Sequence, residues 1–309
     1  MREGEPPVET DLGAVRLPEG AVLERIVVDG PDVGWKPRLL ALLGHKAPVY
    51  LGHVHASLDG PLEGLATSFA VGLVSGVPVT VAMVAGAEGA GILGHVYTVP
   101  DWRRRGAATA LFSALLPLCD ARGYRVLTLG TSPDGHARRL YEAFGFRALT
   151  PTDGSMLRGD GTPPQGASSV GPLRWSDWGW ISAAACAPPG PEEPMPRSRC
   201  LRVGSPGHVE NALIAARRDA VPIQVVRRGP AAVGWACRPA AGEAEGALDL
   251  YVRPGQEDLA QRLVAALNIP PRQWVRCAVG TYRSRALEAA GFQPVAAGVW
   301  SGPGDGGTV

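Results

Sequence analysis

Residues Gly91 to Thr109 carry the chain from a strand pattern into a helix pattern through a proline and three consecutive arginines, the most informative stretch of the sequence. The run from Gly91 to Val99 is rich in β-branched and aromatic residues, which predicts a strand. Pro100 ends it, because proline offers no N–H to a ladder. Ala108, Leu111, Leu115 and Leu118 then recur at helical spacing, predicting an amphipathic helix from about Gly106 to Arg122 with Gly123 as its stop. The first amides of a helix have no intrahelical acceptor and stand at the positive end of its dipole, so they suit an anion. Gly106, Ala107 and Ala108 keep side chains out of the way, and Arg103, Arg104 and Arg105 add charge-assisted donors. By composition alone the same loop also fits a solvated basic turn.

Two ordered motifs decide between these readings. The run Arg-x-x-Gly-x-Ala from Arg103 to Ala108, placed after a proline-ended strand, resembles the acyl-CoA-binding motif of the GNAT superfamily of N-acyltransferases. Downstream, Tyr124 to Leu129 reads as another strand. Ala137, Leu140, Tyr141, Gly145 and Phe146 then fall in register with that family's fourth helix and exit turn. Asp134 stands where the family usually has asparagine, and an ionised carboxylate accepts but cannot donate a hydrogen bond.

The resemblance implies an α/β (α+β) fold, with a mixed and largely antiparallel sheet flanked by helices. It further implies that the loop residues Arg103, Arg104, Arg105, Gly106, Ala107, Ala108 and Thr109 bind the pyrophosphate of acyl-CoA, with Asp134 near the cofactor. The backbone at Val96, Tyr97 and Thr98 would hold the pantetheine arm and face the thioester. Tyr141, also beside the cofactor, matches the usual general acid; a phenol stays protonated at neutral pH and can donate. His95, on the strand just before these contacts, is the candidate base, and equally fits a half-buried strand histidine. His45, His53 and His55 read as surface or acceptor-pocket residues, and His136 as a first-turn residue.

The second half repeats the pattern with different chemistry. Leu248 to Pro254 parallels His95 to Pro100, Leu263 to Leu267 parallels Leu111 to Leu115, and Arg285 to Phe292 parallels Arg139 to Phe146. Yet Glu257 and Asp258 stand where phosphate would approach, and Leu287 replaces the tyrosine of the first copy. The expectation is two tandem GNAT-like domains, residues 1–162 binding acyl-CoA and residues 163–309 a degenerate copy, in the manner of tandem family members of the mycothiol-synthase type. The Pro, Gly, Ser and Thr content of residues 150–172 reads as the linker. Helices are expected from Trp35 to Gly52 and His208 to Asp219. Strand pairs are expected at Ser68–Gly72 with Val77–Val84 and at Ile223–Val226 with Ala231–Cys237.

Composition narrows the partners. A formal charge of +1 over 309 residues provides no field for nucleic acid or anionic lipid. Cys119, Cys186, Cys200, Cys237 and Cys277 lack Cys-x-x-Cys spacing, which points to free thiols in a cytoplasmic protein. No stretch approaches a membrane span, and no His, Asp or Glu set has metal-ligand spacing, so no metal is expected. Trp175, Trp178 and Trp180 are expected at an interdomain seam or pocket wall. The function these features imply is transfer of an acetyl or other acyl group from acetyl-CoA to an amine of a small molecule or protein, by direct attack. A non-catalytic acyl-CoA-binding module, an O-acyltransferase and an acyl-CoA decarboxylase on the same scaffold remain the alternatives.

Overall fold

The computed structural model describes residues 9–148, 154–185, 209–210, 213–216, 222–237, 245–269, 274–277 and 279–302. Its first half is an eight-stranded sheet of order β1-β2-β3-β4-β5-β6-β8-β7. The strands are β1 (Glu9–Arg16), β2 (Val22–Asp29), β3 (Ala66–Val74), β4 (Val77–Ala87), β5 (Ala90–Thr98), β6 (Val126–Gly130), β7 (Arg147–Ala148) and β8 (Ser155–Gly159). Neighbours are antiparallel except β5 and β6, which run parallel because helix α3 (Ala107–Ala121) crosses over between them. β3 and β4 form a hairpin through Ser75 and Gly76, both with positive φ, in keeping with the right-handed twist of the strands they join.

The sheet is covered on both faces, which explains why its central strands read as nearly continuous apolar runs. On one face α3 presses Leu111, Phe112, Leu115, Leu116 and Cys119 against Val27, Ala82, Val84, Leu93 and Leu127, and α4 (His136–Ala143) adds Tyr141. The other face carries α1 (Lys36–Leu43), α2 (Gly52–Asp59) and α5 (Trp178–Ala185) over Phe69, Val71, Val81, Met83 and Ile92. α5 is buried on every side and joins the halves, packing on β5 and β6 and also on β11. Gly179 permits that approach: a Cβ there would lie 2.4 Å from the Ala90 carbonyl oxygen. Trp180 Nε1 donates to the Glu88 carbonyl, and Trp175 and Trp178 are buried in the same shared core.

The second half contains β9 (Ser168–Pro172), β10 (Ile223–Arg228), β11 (Ala231–Cys237), β12 (Glu245–Ala247), β13 (Asp249–Val252), α6 (Ala260–Ala266), β14 (Trp274–Arg276), α7 (Tyr282–Ala289), β15 (Gln293–Ala296) and β16 (Val299–Ser301). β12 and β13 are one extended segment broken at Leu248. Its first part pairs parallel with β14, and its second pairs antiparallel with β11. The order hairpin, strand, helix, strand, helix, two strands runs through both halves, and the β12-β14-β16-β15 order parallels β5-β6-β8-β7. Under β10 the Arg227 guanidinium forks onto the Asp177 carboxylate at 2.6 and 2.7 Å, a fully buried pair.

Residues 150–172 are not simply a linker. Ser155, Met156 and Leu157 are buried in β8, between β6 and β7, and β9 opens the second half's sheet. The glycines that suggested flexibility serve close approach instead: at Gly159, with φ +89°, a Cβ would lie 2.1 Å from the Arg125 carbonyl oxygen. The helices expected over Trp35–Gly52 are α1, a single 3₁₀ turn at Pro48–Tyr50 and the start of α2. Residues 209–210 and 213–216 are helical, while the rest of His208–Asp219, together with Cys186 and Cys200, lies outside the described residues. Cys119, Cys237 and Cys277 are buried. Among the described residues no helix is long and apolar enough to cross a membrane.

Candidate active site

β5 and β6 hold the site because their pairing stops early. They are in register only from Ala90–Val126 to Ile92–Thr128, so the rest of β5 runs on without a paired strand on that side among the described residues. On its other side β5 is bulged, Val81 pairing with Tyr97 and Met83 with Gly94, which sets His95 and Val96 opposite Ala82 alone. His95 sits at the bulge with φ +49°, a left-handed conformation rarely held by a non-glycine residue.

Beyond the bulge the backbone alternates. Val99 donates its N–H to Val79, and the Tyr97 carbonyl accepts from Thr80 Oγ1, so those groups face β4. The Thr98 carbonyl faces away and accepts from Arg103 Nε at 2.9 Å. The Tyr97 ring stacks on His45 at 4.0 Å between centroids, with the Arg103 guanidinium over it. Thr98 Oγ1 lies 2.9 Å from Thr80 Oγ1, and Val96 packs toward the α3 face.

The loop into α3 is built to free amides. Pro100–Trp102 forms a 3₁₀ turn, Arg104 and Gly106 both have positive φ (+59° and +85°), and Gly106 is the helix N-cap. The Ala110 N–H is taken by the Gly106 carbonyl, whereas the amides of Ala107, Ala108 and Thr109 precede the first helical bond. Ala107 is buried against Leu17, Leu23 and Val79, so only its backbone is available. The three arginines differ. Arg103 is tied to Thr98, Arg105 pairs with Glu19 at 2.7 Å, and Arg104 is exposed with no ion-pair partner among the described residues.

Tyr141 on α4 is buried between Phe112 and Phe146, with ring centroids at 5.8 and 6.1 Å. Burial pushes its phenol up to about 12, so it remains a proton donor throughout the neutral range. Asp134 is exposed two residues before α4, and His136 is that helix's first residue. The corresponding turn of the second half is closed by its own side chains: Glu257 accepts from the Gly255 N–H and Asp258 pairs with Arg228.

On the α1/α2 face the structure assembles a group that linear spacing could not reveal. His53 of α2, His95 of β5 and Glu210 from the second half are all buried and converge. His53 Nε2 lies 3.1 Å from Thr67 Oγ1, while His53 Nδ1 and His95 Nε2 stand 3.7 and 3.5 Å from Glu210 Oε1. Those separations are too long for hydrogen bonds. His53 Nδ1, both ring nitrogens of His95 and Glu210 Oε1 are therefore buried without a hydrogen-bond partner among the described residues, and a buried group left so costs roughly 1–3 kcal/mol. Burial, and then the neighbouring His95, hold His53 down at about 3, so its imidazole is neutral. Burial also lowers Lys46, against the opposing pull of the Glu210 carboxylate. His53, expected at a surface or pocket wall, is thus a core residue, whereas His55 is exposed.

Residues 47–146 match the model of the Acetyltransferase (GNAT) family. Among solved structures the chain is similar to Ard1 from Thermoplasma volcanium, with 24% identity over 29% of this chain and 68% of that one, at a TM-score of 0.26. It is similar to the ribosomal-protein-S18-alanine N-acetyltransferase from Escherichia coli, with 21% identity over 43% of this chain and 90% of that one, at 0.35. The GNAT domain of S. lividans PAT shares 16% identity over 50% of this chain and 97% of that one, at 0.37. No curated protein matches the chain. The splayed β5/β6 pair and the arginine loop both lie within residues 47–146, the span that matches the Acetyltransferase (GNAT) family model.

Proposed function

We propose that the N-terminal half, residues 1–162, transfers an acetyl group from acetyl-CoA to an amine by direct attack, with residues 163–309 a degenerate copy that completes the acceptor side. The observation that carries this reading is the opening between β5 and β6, headed by the Arg103–Thr109 loop with its three free amides and the unpaired Arg104. Those amides, with Arg104 and with Arg103 and Arg105 at the rim, suit a pyrophosphate. Gly106 leaves room for it, and Asp134 stands on the α4 side. The outward backbone of Val96 and Thr98 suits the pantetheine amides, with the Tyr97 ring as wall. The turn closed by Glu257 and Asp258 supports loss of acyl-CoA binding from the second copy, and the repeated element order supports duplication.

His95 gathers with His53 of α2 on one side of the sheet and Tyr141 belongs to the α3/α4 side, positions from which the two would flank an acyl group held in the opening. The acceptor nitrogen attacks the thioester carbon, the C–S bond breaks, His95 takes the amine proton and Tyr141 donates to the departing sulfur. The acceptor is an amine on a small molecule or a protein.

The test measures thiol release from acetyl-CoA with panels of amine and hydroxyl acceptors. Tyr141→Phe is expected to lower kcat about 100-fold while leaving CoA affinity within about twofold, a match that removal of one hydroxyl allows only if the ring still packs. Full turnover in that variant removes the proposed acid. Release with hydroxyl acceptors alone overturns the amine assignment.

A further inference from the structure

We propose that His53, His95 and Glu210 form a binding site for a divalent transition-metal cation, Zn²⁺ in the first instance, joining the two halves of the chain. The ligand atoms of a tetrahedral zinc site, bonded at 2.0–2.1 Å, stand roughly 3.3–3.4 Å from one another. Glu210 Oε1 lies 3.5 Å from His95 Nε2 and 3.7 Å from His53 Nδ1, and all three donor atoms fall within 4.8 Å. The two separations from Glu210 Oε1 fit ligands around a common centre better than hydrogen-bonded partners, and the two imidazoles, which lie within 4.8 Å, would close toward tetrahedral spacing on binding.

The donors are also in the right chemical state. The contact between His53 Nε2 and Thr67 Oγ1 suits donation from the ring to the hydroxyl, which orients the imidazole and leaves Nδ1 with its lone pair aimed at the cluster. A carboxylate supplies the anionic ligand, and the three donor atoms have no hydrogen-bond partner among the described residues. Two imidazoles and one carboxylate suit zinc with one coordination position left open. Lys46 is a further charged group that feels Glu210, and it forms no ion pair with it at 4.0 Å or less among the described residues.

The binding claim stands apart from the acyl-transfer reading. Its consequence for activity rests on that reading: His95 Nε2 cannot hold a metal and accept a proton at once, so an occupied site would slow transfer.

The experiment titrates zinc chloride into the tag-free full chain after chelation, following zinc content by elemental analysis, affinity by competition with a chromophoric chelator, and thermal stability. Wild type is expected to take up one zinc tightly and to gain stability. Glu210→Gln, close in shape and checked for folding by circular dichroism, is expected to bind at least tenfold more weakly, as is His95→Gln. Cobalt substitution separates this site from the buried cysteines, since only thiolate ligands add an intense charge-transfer band. A thiolate band, absence of wild-type uptake, or equal uptake in both variants overturns the site. Thiol release from acetyl-CoA with and without zinc forms the separate activity arm: zinc binding without inhibition leaves the metal site standing and removes His95 as base.

Discussion

His53 links acid stability to the buried cluster. In the unfolded chain its imidazole titrates near the ordinary value of 6.5, whereas in the folded chain burial holds it at about 3. Below pH 6.5 the unfolded state takes up a proton that the native state refuses until about pH 3. Stability therefore falls with decreasing pH across that window, and the contribution vanishes above it. At roughly 1.4 kcal/mol per pH unit, the gap from 6.5 to about 3 amounts to about 5 kcal/mol. His53→Gln keeps an amide able to meet Thr67 but cannot titrate. Urea unfolding of both proteins with chelator present, at pH 6.5 and pH 4.5, should show wild type losing about 2.3 kcal/mol more than the variant over those two units, less than the full slope because the unfolded imidazole is already half protonated at pH 6.5. The carboxylates titrate in both proteins and cancel in the difference. A wild-type-to-variant gap that does not change with pH would refute the account of a neutral, buried His53.

Two further predictions concern how the halves are joined. Gly179→Ala places a methyl group 2.4 Å from the Ala90 carbonyl oxygen and 3.0 Å from the Gly91 nitrogen, both backbone atoms, and should cost roughly 1–3 kcal/mol or more in calorimetric stability. An unchanged melting temperature would place α5 away from β5. Asp177→Asn leaves the Arg227 guanidinium buried with its counter-charge removed, and chemical denaturation should report a loss of about 3–5 kcal/mol; a loss under about 1 kcal/mol would show the pair to be solvated.

The parts of the fold legible from sequence were those whose local rules agree. Pro100 ends β5, Gly106 starts α3 and Gly123 follows it, because each position is set by backbone conformation and only a few residue types meet it. The Arg228-Gly229-Pro230 turn between Ile223–Val226 and Ala231–Cys237 likewise announced a strand pair. β8 was hidden because Gly154 and Gly159 resemble linker glycines, although at each one backbone passes so close that a Cβ would strike a carbonyl oxygen. β1 and β2 gave no signal that was read as a strand: β1 mixes Glu9, Asp11 and Arg16 with Leu12 and Val15, and its register slips between Asp11 and Ala14.

The candidate site divides in the same way. The arginine loop is contiguous and could be read directly, whereas the differing engagements of Arg103, Arg104 and Arg105 depend on where Thr98 and Glu19 fall in space. Tyr141 was picked out by its register, but its packing between Phe112 and Phe146 was not. Glu210 could not be identified at all, since nothing in its neighbourhood marks it and only the packing of the second half brings its carboxylate to His95.

Calorimetric titration of CoA into wild type, Gly106→Asp and Arg104→Glu tests the acyl-CoA assignment most directly. Gly106→Asp forces a side chain onto φ +85° and puts a carboxylate at the helix N-terminus, with a backbone cost of about 1–2 kcal/mol. Arg104→Glu reverses an exposed, unpaired charge and should leave the fold intact. The prediction is saturable one-site binding by wild type, and binding weakened about 100-fold or lost in both variants while each still unfolds cooperatively. Failure of wild type to bind CoA, or wild-type affinity in both variants, would contradict it.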